Sequence, residues 1–158
     1  MKLRSVLLLL VTHAAVAAFG FAAGIYTLPL LIAPAAPSTA EVQAQAQRAV
    51  HTGQFRRDLK GSDALHWGQG KVNVGPDAIS LQGEIAPGPD YKLYLSPRFV
   101  ETEADVESLK PQMLRVGDVK TFRNFIVPLP AGVDLEKYDT VLVWCETFRE
   151  FITAAKYR

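Results

Sequence analysis

The sequence predicts an all-β domain, an antiparallel β-sandwich or barrel, preceded by one N-terminal transmembrane helix and a short helical stalk. Three observations carry that expectation. No formally charged residue stands between Val6 and Ile32, a run that exceeds the roughly 20 apolar residues needed to cross a bilayer. From Gly53 onward, short stretches alternate apolar and polar residues between Gly, Pro and Asp, the pattern of antiparallel strands and tight turns. Near the C-terminus, Val141-Leu142-Val143-Trp144 is continuously apolar, as expected of a central strand buried on both faces.

The elements follow in order. Lys2 and Arg4 precede the apolar run, and the next basic residue beyond it is Arg48. The positive-inside rule then keeps the N-terminus cytoplasmic and exports the rest, giving a single-pass protein with an extracytoplasmic (periplasmic) domain. A cleaved signal needs an apolar stretch of only about 7–15 residues, so the length favours a retained signal anchor. Ala15-Val16-Ala17 or Ala33-Pro34-Ala35 would be the site of the alternative cleavage. Gly20 and Gly24 stand at small-xxx-small spacing, which can seat a second helix.

Ala33-Pro34-Ala35-Ala36-Pro37 makes a stiff break. Ser38 or Thr39 can cap a helix with Glu41 in its first turn, and the Ala- and Gln-rich segment to Val50 reads as an exposed stalk. The expected division is therefore an anchor over residues 1–34, a spacer and stalk over 35–52, and a β domain over 53–158. Within the domain, strands are expected from Ala64-Leu65-His66-Trp67 into Lys71–Val74, over Ile79–Ile85, Tyr91–Leu95, Phe122–Val127, Thr140–Cys145 and Phe148–Ala154. Gly75-Pro76-Asp77 and Pro87-Gly88-Pro89-Asp90 are the turns. Thr102–Leu109 is an acidic, helical interruption.

The formal charge of +1 excludes a strongly basic nucleic-acid surface. Gly68-Gln69-Gly70 lacks the third glycine and the following helix of a dinucleotide loop. Cys145 is the one cysteine, and an unpaired thiol in an exported domain requires an explanation. It can be a buried small hydrophobe, a redox thiol, one half of an intermolecular disulfide, or a ligand of a group such as haem with His66 as second ligand. Arg149 or Lys156 would lower the thiol pKa if the fold brought either close. A zinc site from His51, Asp63, His66 and Cys145 is conceivable, but no pair has ligand spacing.

Several stretches resemble the DM-thirteen (DM13) domain, a family named for electron transfer. These are Gly53-Gln54-Phe55, His66 followed by Gly70-Lys71-Val72, and Gly88-Pro89-Asp90-Tyr91-Lys92-Leu93-Tyr94-Leu95. The closing stretch is Val141-Leu142-Val143-Trp144-Cys145 with Phe148 and Phe151 three and six residues after the cysteine. The resemblance runs over roughly Gly53–Tyr157 and departs at Val116–Phe122. It implies an all-β domain with Cys145 as a redox thiol, either naked or holding haem together with His66. It also implies a separate protein as redox partner, while the anchor makes the lipid bilayer the other partner. Trp144 and Phe148 are then expected to screen the thiol from water. The competing expectation is a non-catalytic envelope binding module in which Cys145 is structural.

Overall fold

The computed structural model describes residues 2–158. Helix α1 (Leu3–Ile32) has 30 residues, so it is about 45 Å long at a rise of 1.5 Å per residue. It is one helix long and apolar enough to cross a membrane. Ala33 and Pro34 end it in extended backbone.

Helix α2 (Thr39–Ala46) is fixed by a capping box. The Glu41 backbone N–H donates to Ser38 Oγ at 3.2 Å, and the Ser38 N–H donates to Glu41 Oε2 at 2.8 Å. The helix is present as expected, but it does not stand clear as an exposed stalk. Val42 is fully buried where α2 packs on the first sheet.

Eight strands follow: β1 (His51–Phe55), β2 (Gly68–Val74), β3 (Ala78–Ile85), β4 (Tyr91–Ser96), β5 (Leu114–Val119), β6 (Arg123–Pro128), β7 (Thr140–Cys145) and β8 (Glu150–Lys156). They form two four-stranded sheets, β1-β2-β3-β6 and β5-β4-β7-β8. Every pairing is antiparallel. This is the sandwich-like architecture that the alternating stretches predicted.

The core lies between the sheets. Val72, Leu81 and Phe125 of the first sheet meet Leu93, Val141, Val143, Cys145 and Ile152 of the second. A separate cluster covers the outer face of the second sheet, where Val106 and Leu109 of α3 (Glu103–Leu109) pack with Tyr94, Leu142, Trp144 and Phe151. β7 is thus covered on both faces, and all six of its residues are buried. That accounts for its unbroken apolar sequence.

Four stretches differ from the sequence expectation, the first being β1, an unanticipated strand that begins at His51 within the expected stalk. His66 and Trp67 do not lie in a strand, because Asp63 Oδ1 accepts the backbone N–H groups of Leu65 and His66 at 2.7 Å and closes a turn before β2. β8 starts at Glu150 rather than Phe148, since Arg149 adopts φ +56° and belongs to the turn. β5 was not anticipated: Arg115, Gly117 and Asp118 interrupt its apolar residues, and its register on β4 shifts at Leu93/Tyr94.

Candidate functional site

Cys145 is the last residue of β7, directly opposite Tyr91 of β4 and Glu150 of β8. Period-two alternation sends Val141, Val143 and Cys145 into the inter-sheet core, while Leu142 and Trp144 face α3. Trp144 therefore packs on the other side of the sheet from the thiol and does not screen it. Glu146 is directed the same way as Trp144. It accepts the Tyr94 hydroxyl proton and an ammonium hydrogen bond from Lys110.

The turn after Cys145 is tied to Asp90. The Glu146 N–H donates to the Asp90 carbonyl at 3.0 Å, and the Thr147 hydroxyl donates to Asp90 Oδ2 at 3.0 Å. Lys92 bridges Asp90 Oδ1 at 2.7 Å and Asp118 Oδ1 at 3.0 Å, and its ammonium holds both carboxyls below their usual range. The Gly-Pro-Asp segment is therefore the clamp that fixes the end of β7.

Cys145 is 2% exposed and its sulfur is unbridged. Burial pushes the thiol above its ordinary value, with the backbone N–H groups of Phe148, Asp90 and Thr147 pulling the other way. Neither expected cation reaches it. Arg149 pairs with Glu107 at 2.6 Å, and Lys156 pairs with Asp139 at 3.6 Å. The resting group is a protonated thiol.

His66 lies in the bend that precedes β2. Its Nδ1 lies 3.1 Å from Asp63 Oδ2. An ionised carboxylate only accepts, so Nδ1 carries the hydrogen and Nε2 is left as an acceptor. Asp63 thus fixes both the turn and the tautomer.

His66 and Cys145 line the same cavity, of about 310 Å³, together with Leu65, Tyr91, Phe148 and Ile152. Ala22, Ile25 and Tyr26 of α1 close one wall. The walls are mainly apolar, and Glu150 is the one Asp, Glu, Lys or Arg side chain that lines them. Phe148 stands at the rim, 47% exposed. The sequence pointed to Cys145, His66 and Phe148 but missed the contributions of Asp63, Tyr91 and α1. An Asp three residues before the His was the available signal for the first of these.

Haem ligation does not fit these residues. The cavity offers no Lys or Arg to a porphyrin's carboxylates, and its volume of about 310 Å³ is at the small end of ligand sites. The zinc set also fails to assemble. Among the described residues no group of three or more His, Cys, Asp or Glu side chains could hold a metal ion. His51 begins β1, with its ring centroid 5.3 Å from that of Tyr157.

The family model for the electron-transfer domain DM13 matches residues 54–157. The chain belongs to the DM13 electron-transfer family. The match covers seven of the eight strands in full and the end of β1, the Asp63–His66 turn and Cys145. No curated protein and no solved structure matches the chain.

Proposed function

We propose that this DM13 protein is a single-pass, extracytoplasmic redox module in which Cys145 is the electron-carrying thiol and His66 its proton acceptor. The observation that carries the reading is the cavity shared by Cys145 at the end of β7 and His66 in the turn before β2, one a thiol and the other an imidazole oriented by Asp63. A buried neutral thiol reacts only once a base takes its proton, and His66 is an imidazole base that lines the same cavity. The basic residues Lys2 and Arg4 before α1 support an inward N-terminus and an exported domain.

One cycle is chemically complete with a hydroperoxide as oxidant. The thiol proton passes to His66, and the thiolate attacks the terminal peroxide oxygen. An S–O bond forms, the O–O bond breaks, and the leaving oxygen takes the proton and departs as water or an alcohol. A dithiol on a separate redox partner protein then returns the sulfenic acid to the thiol, releasing water and leaving its own disulfide.

The extent of burial of Cys145 favours a second reading, a non-catalytic envelope module in which the sulfur is packing. Treating the folded full-length chain with hydrogen peroxide in the presence of dimedone separates the two. The redox reading expects a dimedone adduct on Cys145 in the native protein. An adduct that forms only after denaturation would leave the structural reading.

A further inference from the structure

The cavity at Cys145 does not end at the domain. A second apolar hollow of about 700 Å³ shares Ile25, Pro89 and Phe148 with it and continues down α1 past Gly24 to Gly20. A Cβ at either glycine would meet nothing within 4 Å, so the two glycines open a notch in the helix surface rather than seating another part of the chain. The cavity of the thiol and imidazole thus opens sideways into one apolar groove that runs along the anchor from Gly20 to Ile32.

The length of α1 fixes where that groove opens if the helix spans a bilayer. Counting from the basic end, about 20 residues fill the roughly 30 Å hydrocarbon layer, which brings the exit to the turn holding Ala22. Gly20 then lies inside the hydrocarbon, Ile25 and Tyr26 at the headgroups, and Cys145 just above them. Leu65 and Phe148, 56% and 47% exposed, flank the mouth on the domain side. Apolar side chains at that level are solvated by lipid.

The lining selects the ligand. Without Lys or Arg, and with Glu150 in the wall, it repels a phospholipid phosphate or a fatty-acid carboxylate. The acceptor at His66 Nε2 calls for a hydroxyl donor. A cavity of about 310 Å³ is at the small end of ligand sites and suits a single ring. Resting on the membrane-anchored redox reading, we propose that the groove binds a bilayer-dissolved quinol. Its ring lies between Tyr91 and Phe148, one hydroxyl donates to His66, and its apolar tail lies in the Gly20–Gly24 notch.

The test uses the full chain in phosphatidylcholine vesicles with a photoreactive azido-ubiquinol, followed by peptide mapping. Adducts are expected at the Ile25 turn and at Phe148, and excess ubiquinol should remove them while cholesterol does not. Gly24→Leu, which the open space tolerates, should lower labelling about tenfold by filling the notch; helix content from circular dichroism checks its folding. Cys145→Ser should still label, so that loss of the redox reading leaves this one intact. Adducts spread along α1, adducts indifferent to Gly24→Leu, or equal competition by cholesterol would overturn it. So would labelling that is lost through chain dimerisation, which would put a second helix in the notch.

Discussion

Asp63→Asn isolates the element of the site that turns a histidine into a base. Asp63 has two jobs on two oxygens: Oδ1 accepts the Leu65 and His66 backbone N–H groups, and Oδ2 accepts His66 Nδ1–H. Asparagine keeps a carbonyl oxygen for the turn but replaces the second acceptor with a donor. The turn survives, and the charge-assisted partner of the imidazole is lost. Solvent screening limits that partner, because the Asp63 and His66 side chains are 59% and 29% exposed. An exposed pair of this kind contributes about 0.5–1 kcal/mol, equivalent to about two- to fivefold in the rate of a step that protonates His66. The assay is the rate of Cys145 alkylation by iodoacetamide in the folded chain, followed from pH 6 to 9. Asp63→Asn should slow it by that factor, whereas Asp63→Ala should in addition lower stability by about 1 kcal/mol through loss of the turn acceptor. Equal rates for Asp63→Asn and the unaltered protein across the range would refute the role given to His66.

Two further predictions concern what holds the site in place. Lys92→Met removes the cation between Asp90 and Asp118; because both carboxylates are partly exposed, the cost at pH 7 should be about 1 kcal/mol in urea unfolding. The sign of the pH effect follows from the lowered carboxyl values: the unfolded chain binds more protons in acid, so stability present above the ordinary carboxylate range is lost as pH falls through the folded values. That acid-side loss should be shallower in Lys92→Met, and an unchanged slope would contradict the clamp. Gly83→Ala should cost about 1–3 kcal/mol by overpacking, because its Cβ would sit 2.7 Å from the Cα of Gly70 on the paired strand. An unaltered urea midpoint would show that β2 and β3 can separate there.

The sandwich was legible because its strands obey a local rule. The alternation in Val72–Val74 and Ile79–Ile85 marks the apolar face turned to the core, although Asn73 and Ser80 between those residues are buried too, and the unbroken Val141–Trp144 run marks a strand apolar on both faces. β5 escaped because Gly117 and the charged Arg115 and Asp118 leave too few apolar residues to mark a period. In the site, the single cysteine and one of three histidines could be named from composition and resemblance. Their shared cavity depends on the pairing of β4 with β7, a contact distant in sequence, and on where the local Asp63 turn comes to rest against it. The wall contributed by α1 was illegible for the same reason, since an apolar helix shows length and hydrophobicity but not which face meets the domain. Trp144 was misassigned as a screen because adjacent strand residues point to opposite faces.

The claim on which everything else depends is that His66 and Cys145 form one site. Imidazole resonances of the folded full-length chain, recorded by NMR before and after Cys145 is alkylated, test it without reference to any partner. The account predicts that the His66 resonances move on alkylation while those of His51, packed against Tyr157, stay in place. His66 resonances that are the same before and after would contradict it.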